Sequence, residues 1–560
     1  MKSWYLPLLR CLGFVAGLYG YTRLIETFGG FSTSALYQQW AELSLVLYLY
    51  CLLYALLKPM AWRAVLAALP IFLIYLVHDV FYLIYGKVFR LIDIAELPEL
   101  LQVLPLGYAL LVALLLFVPL SLFVININYR QPARLLIGLL PLAGLLLLVK
   151  GTPDVYATSF REITPGIVKY SDAKSVENNG RLAMLFYREA QRTEILAKLQ
   201  PYRHRHDYDQ RTTEKVAAIK PHLTGRNVHM IVLESFLDPR LFKDLRFSRS
   251  PVHPAFDKLF GSNLGLSRSP VFGGATAQAE FEVLCGVPAL ELVSSVEFNA
   301  FTGAPANCLP QVLTQLGYRT VASNAYKPNF FNALPAYKGV GFSERYFPQE
   351  FYSASKSYLH FGHPGDEEFL FDAQLFEQNL GFIESHIQNK PGQPLFNYVM
   401  TIYGHTPHLL DTNKRPEIIK LQTAYKDDQL QRAVNQFYYR TEAIANYIKQ
   451  LLVIDKHSLI VLVSDHVPPL RNGPNTYQAL RYLDNIDDAY YYNRIAIIDN
   501  GVVKHFSPMN HYELPQLILN NLSEGTYCQS NPCAFLNKAQ RLTRQDYLEN
   551  YLTLMAHASE

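Results

Sequence analysis

Glu234, Asp465 and His466 each stand just past a short aliphatic run, residues 228–233 for the first and 458–463 for the other two. Two carboxylates and an imidazole form a donor set for one divalent cation such as zinc or manganese. Between them in sequence, Gly273 and Gly274 make a turn ahead of Thr276, which opens a helical pattern that buries Phe281 and Leu284. A threonine hydroxyl is a poor nucleophile near neutrality, and coordination to a cation favours its alkoxide. The helix N-terminus beside it adds donors and positive potential for a phosphate. A third run, 395–402, is followed by Tyr-Gly-His-Thr-Pro-His, which places His405 and His408 past another strand end. A histidine at that point can protonate a departing oxygen. Taken singly, each residue has a plainer role as a helix cap, an ion-pair member or a loop histidine. Their joint appearance, each at the end of a run, favours cation-assisted phosphoryl chemistry.

The elements that must position these groups read as a mainly parallel α/β sheet. From Asn227 onward, apolar runs at 228–233, 318–322, 395–402, 458–463 and 494–498 alternate with helical patterns at 311–316, 367–389, 429–453 and 513–522. Such alternation predicts a sheet covered on both faces. Ligands of such sheets bind beyond the carboxyl ends of the strands, where the candidate residues fall. Residues 151–226 are polar and weakly periodic and read as a linker with helical pieces. The catalytic domain is then expected over 227–545, followed by a tail at 546–560.

The first 150 residues differ in kind. Five apolar stretches, near 4–22, 39–58, 62–85, 105–126 and 133–150, are each long enough to cross a bilayer as helix. Lys2, Lys58, Arg63, Arg130 and Arg134 mark the cytoplasmic loops, whereas Lys87 and Arg90 on the opposite side are offset by Asp93, Glu96 and Glu99. An odd number of spans places everything after Lys150 outside the cytoplasm. Residues 88–104 are amphipathic and are expected to lie flat on the membrane. His78 and Asp79 fall inside the third stretch, either as a functional pair or hydrated at its outer end. The net charge of +3 and the lack of basic runs interleaved with aromatics exclude a nucleic-acid partner. Of six cysteines, Cys11 and Cys51 are expected to be buried thiols in the apolar region. Cys285, Cys308, Cys528 and Cys533 are either four free thiols or two disulfides, Cys285–Cys308 and Cys528–Cys533, which suit an oxidising compartment.

Four segments carry a family resemblance: Asn227 to Phe236 (NVHMIVLESF), Gly273 to Gly286 (GGATAQAEFEVLCG), Thr401 to His408 (TIYGHTPH) and Ser464 to His466 (SDH). Together they resemble the lipoteichoic acid synthase and phosphoglycerol transferase group of the sulfatase and alkaline phosphatase superfamily. The resemblance implies an α/β sulfatase-like domain behind a bundle of five membrane helices, in a bacterial cytoplasmic membrane, with the domain on the outer side. It implies one divalent ion (manganese, zinc or magnesium) on Glu234, Thr276, Asp465 and His466, with Thr276 as the nucleophile that becomes phosphorylated. It implies that His405 contacts the substrate phosphate, and that His408, Lys327 and Asn332 line the substrate site, the last two within Ser323 to Asn332 (SNAYKPNFFN). The group's Trp and Arg near this point are replaced here by Phe331 and Ala333, and Lys327 is the cation left to meet a phosphate. The implied reaction moves a head group, glycerol phosphate first, from a membrane phospholipid to a surface glycan or glycolipid. Phosphoethanolamine transfer and hydrolysis are the alternatives, with an inactive scaffold as a third. The Cys/Ser-x-Pro-x-Arg motif of classical sulfatases is missing at Thr276, which counts against sulfate ester hydrolysis.

Overall fold

A computed structural model describes the chain except residues 1–4, 32–38, 86–87, 98–105, 131, 165, 168–171, 204–206 and 353–355. The chain divides into two compact units, Met1–Lys198 and Leu199–Glu560.

The second unit is built on one mixed sheet. Its strands are β1 (Val228–Leu233), β2 (Gly265–Arg268), β3 (Arg319–Asn324), β4 (Glu344–Tyr346), β5 (Leu395–Met400), β6 (Leu459–Ser464), β7 (Tyr492–Asp499), β8 (Val502–Lys504) and β9 (Met509–Asn510). The spatial order is β4-β3-β5-β1-β6-β7-β2-β9, with β8 paired to β7. The strands from β4 to β6 are mutually parallel, and β7 reverses direction against both β6 and β2. Every residue of β1, β5 and β6 is buried. Their unbroken aliphatic and aromatic runs are what a parallel strand with both faces covered requires. Register pairs Leu233 with Ser464 and Val232 with both Met400 and Val463. The carboxyl ends of the three central strands therefore finish level, along one edge.

Long helices cover this centre. Asp428–Ile454 starts at Asp427, whose carboxylate accepts from the Leu430 N–H at 3.0 Å, a standard N-cap. It packs on Asp372–Asn389 with Phe376 stacked on Tyr447. The last fifteen residues of helix, Arg544–Ala558, are fixed by a capping box at Thr543 and Asp546. That helix sends Tyr551 inward to hydrogen-bond Glu297. Disulfides join Cys285 to Cys308 and Cys528 to Cys533.

The first unit is helical. Helices Tyr5–Thr27, Trp40–Leu56, Arg63–Tyr85, Leu106–Ile125 and Pro132–Gly151 form where the five apolar stretches lie. The expectation of five membrane spans is corrected, however. Among the described residues, one helix, Arg63–Leu83, is long and apolar enough to cross a membrane. The pair Leu136–Gly151 and Pro153–Ile163, bent by 109°, makes a second if read as one broken span. Trp40–Leu56 has 17 residues. At 1.5 Å per residue it falls short of a hydrocarbon core of about 30 Å. Tyr5–Thr27 carries Arg10, Arg23 and Glu26 together with glycines and tyrosines that dilute its apolar character.

Within this unit Asp79 is not hydrated. It pairs with Arg181 at 2.7 Å and accepts from Tyr21 at 2.9 Å. His78 is fully buried beside Phe31, with ring centroids 5.4 Å apart. Cys11 is half-buried and Cys51 exposed, so the expectation of two buried thiols is also corrected. Of the stretch expected to lie flat, Leu91–Glu96 forms a 3-10 helix, and residues 98–104 lie outside those described, as do Lys2, Lys87 and Glu99.

Candidate functional site

The level ends of β5, β1 and β6 bring the chemistry together. Glu234 follows β1, Asp465 and His466 follow β6, and all three are buried. One carboxylate oxygen from each acid and one histidine nitrogen lie within 4.8 Å of one another. Thr276 opens the helix Thr276–Cys285, and the Gly-Gly turn aims it at this group. Gly273 sits at φ 73° against Pro469, where an added Cβ would be 3.0 Å from the Pro469 Cβ, and Ala275 adopts φ 58° directly ahead of the helix. The Thr276 hydroxyl donates to Glu234 Oε2 at 3.1 Å and lies 3.4 Å from His466 Nε2. His466 Nε2 is 3.3 Å from Asp465 Oδ2. Ligands about 2.0–2.1 Å from a tetrahedral cation stand about 3.3 Å apart, so these separations fit one shared ion. Thr276 is only half-buried, unlike the three buried groups beside it.

The electrostatics point the same way. Asp465 Oδ1 accepts from the backbone N–H of Ser235 and of His466, whereas buried Oδ2, 3.3 Å from His466 Nε2, makes no hydrogen bond among the described residues. Burial pushes the Asp465 carboxyl up to about 7, and it raises Glu234 as well, with the Asp465 charge adding to that rise. Two buried acids facing each other with an orphan oxygen are costly without a counter-charge. A divalent cation held by Glu234, Asp465 and His466, with the Thr276 hydroxyl beside them, would satisfy that oxygen and both charges.

His405 stands past β5, half-buried, with Nδ1 against the Thr406 carbonyl at 2.7 Å. Its ring packs 5.1 Å from Phe369, and its charge is felt by Glu234. His408 turns away from the mouth. It is buried, with Nδ1 against Gln436 Oε1 at 3.1 Å, and burial lowers it to about 3. Lys327 lies on the turn after β3, along the same sheet edge, with its ammonium 5.3 Å from the Tyr326 ring centroid. Asn332 directs its amide group at the carbonyls of Phe298 and Phe301, both at 2.7 Å, and so fixes the neighbouring turn. Sequence reading missed Arg440 and Asp372, which lie buried behind Glu234. Arg440 stands among Phe437, Ile444 and Ile448 on the buried side of its helix, and an arginine in that mainly apolar stripe was the available signal.

The family model described as Sulfatase matches residues 226–508, just over half of the chain. The chain belongs to the sulfatase family. Two curated relatives align with this sulfatase-family chain over shorter stretches. A Rhizobium meliloti protein named for cyclic beta-1,2-glucan modification is 24% identical over 268 residues, 46% of this chain and 38% of its own length. An uncharacterised Haemophilus influenzae protein is 28% identical over 194 residues, 33% of this chain and 34% of its own. The chain thus spans little more than a third of the length of these relatives. Among solved structures, the Streptococcus pyogenes phosphoglycerol transferase GacH, in complex with sn-glycerol-1-phosphate, aligns at 18% identity and a TM-score of 0.48. That match covers 65% of this chain and 92% of the other. The Listeria monocytogenes lipoteichoic acid synthase LtaP aligns at 16% identity and 0.41, over 56% and 78%.

Proposed function

We propose that the protein is a membrane-anchored, cation-dependent transferase that moves a phosphoryl-linked head group, glycerol phosphate, from a membrane phospholipid to a surface glycan or glycolipid. The observation that carries this reading is the hydroxyl of half-buried Thr276, held 3.1 Å from Glu234 and 3.4 Å from His466. A sulfate ester hydrolase of this family needs a cysteine or serine in its own motif at that point, and a threonine there suits a phosphorylated intermediate. The apolar helix Arg63–Leu83 supports an anchor that keeps a lipid donor at high local concentration. The relative named for glucan modification supports a glycan acceptor.

A divalent cation bound at the site supplies Lewis-acid charge for a phosphoryl oxygen and favours ionisation of the threonine hydroxyl. In the first step Thr276 Oγ1 forms a bond to phosphorus, the bond from phosphorus to the diacylglycerol oxygen breaks, and the hydroxyl proton leaves to solvent. His405 Nε2 gives a proton to the departing oxygen. Lys327 balances the phosphate charge. In the second step an acceptor hydroxyl attacks phosphothreonine, His405 takes its proton, and Thr276 leaves and is reprotonated from solvent. The active domain faces the outside of a bacterial cytoplasmic membrane, consistent with its two disulfides.

The test is product analysis. Full-length protein in detergent receives Mn2+, head-group-labelled phosphatidylglycerol or phosphatidylethanolamine, and an oligoglucan. Label on the glucan from phosphatidylglycerol supports the reading. Label from phosphatidylethanolamine alone corrects the donor, and free labelled head group with no modified glucan overturns transfer in favour of hydrolysis.

A further inference from the structure

Glu234 presents a ligand oxygen from a strained backbone, and that backbone is gripped from behind. Ser235, the next residue, is in the left-handed region at φ 46°, a conformation that persists only where its surroundings enforce it. The Glu234 N–H donates to Thr401 Oγ1 at 2.9 Å. The Glu234 carbonyl accepts from Arg440 Nη1 at 2.7 Å. Arg440 Nη2 also reaches Thr401 Oγ1, at 3.4 Å, and its Nε pairs with Asp372 at 2.7 Å. Both charged side chains are essentially inaccessible, at 2% and 0% exposure. Gly404 closes the arrangement. A Cβ added there would stand 2.0 Å from the Glu234 carbonyl oxygen and 2.2 Å from Arg440 Nη1. The loop leading to His405 therefore lies directly on the Glu234 backbone and the guanidinium.

A buried ion pair adds little to stability over well-packed apolar residues, and the two bonds that Arg440 makes to the Glu234 carbonyl and to Thr401 point to another role. We propose that Arg440, charge-balanced by Asp372, is a positioning residue of the cation site. It fixes the Glu234 backbone in register with the loop carrying His405 and thereby sets cation affinity. The inference rests on the cation-dependent reading of the Glu234–Asp465–His466 cluster. Lysine at this position keeps the charge for Asp372 but cannot supply three donors in a planar fork. Gly404→Ala leaves the fork intact and removes the space it occupies.

The experiment measures Mn2+ binding by calorimetry on chelator-stripped, full-length protein in detergent, with the cation-free melting temperature taken in parallel. Arg440→Lys and Gly404→Ala are each expected to weaken Mn2+ by about 10–100-fold, the range for residues that orient metal ligands. A lower melting temperature with the Mn2+ dissociation constant unchanged within twofold would assign Arg440 to fold stability alone and overturn the proposal. If Arg440→Lys does not fold, Thr401→Val, which keeps the ion pair and removes the acceptor of the Glu234 N–H, is expected to weaken Mn2+ in the same direction, and unchanged binding there overturns the proposal. Wild-type protein that binds no Mn2+ would instead defeat the cation-dependent reading itself, a distinct outcome.

Discussion

Replacing Asp465 with asparagine is expected to stabilise the protein when the cation is removed and to abolish the stabilisation that the cation brings. Asp465 is wholly buried, and burial holds its carboxyl at about 7 against an ordinary 3.8. Because the folded state binds this proton more tightly than the unfolded chain, stability falls as pH rises from the ordinary value through about 7 and stays low above it. Ionisation of the folded, cation-free site costs at most on the order of 4 kcal/mol. Glu234 shifts in the same direction, so the pair titrates together. The amide keeps the Oδ1 acceptor for the N–H groups of Ser235 and His466 and carries no charge. In chelator at about pH 8.5, Asp465→Asn should therefore unfold at a higher temperature than wild type, and the gap should narrow toward about pH 5. Mn2+ at about 100 times its dissociation constant should stabilise wild type by roughly 2.7 kcal/mol and leave the variant unmoved. Thermal unfolding followed by tryptophan and tyrosine fluorescence reads both. A variant less stable than wild type in chelator at the higher pH, or equal stabilisation of both by Mn2+, would refute the reasoning.

Burial lowers His408 to about 3, so its folded-state imidazole should stay neutral at about pH 5, and the contribution is lost as pH falls below the ordinary 6.5 because only the unfolded chain takes up the proton. NMR of labelled histidine should show that, among the rings that do not titrate in that window, one vanishes in His408→Gln while that of His511, also lowered to about 3 by burial, remains. Cys285 and Cys308 close a loop of 23 residues at the end of the nucleophile helix. Replacing both by serine should cost about 3 kcal/mol in urea unfolding. Phe281, on the same helix and fully buried, meets Phe298, Phe301 and Tyr551 edge-on. Phe281→Ala should cost about 3–5 kcal/mol by the same assay.

The central sheet was legible because its strands are uninterrupted apolar runs. β1 forms over the run 228–233, and β3, β5, β6 and β7 appear within a few residues of theirs. The short strands β2, β4, β8 and β9 have two to four residues each and carry no periodicity to read. Nor could alternation reveal that β7 runs antiparallel, since direction is set by how the chain returns. Glu234, Thr276, Asp465 and His466 were visible because each follows a strand end or opens a helix, and the level ends of β1 and β6 bring them together. Arg440 and Asp372 were not, because their role depends on two helices meeting behind β1. Asn332 shows the converse: its place in a motif suggested a ligand contact, and in the fold its amide holds the carbonyls of Phe298 and Phe301. The N-terminal stretches were read as helices correctly. Whether a helix crosses a bilayer turns on length and on scattered charge, and there Trp40–Leu56 and Tyr5–Thr27 fall short.

Intact-mass and peptide mass spectrometry of the full-length protein, incubated with Mn2+ and phosphatidylglycerol, tests the central claim most directly. A glycerol phosphate adduct on Thr276 that requires Mn2+ and is absent in Thr276→Ala is the predicted result. Bound Mn2+ with no adduct on Thr276, together with head-group release undiminished in Thr276→Ala, would contradict it.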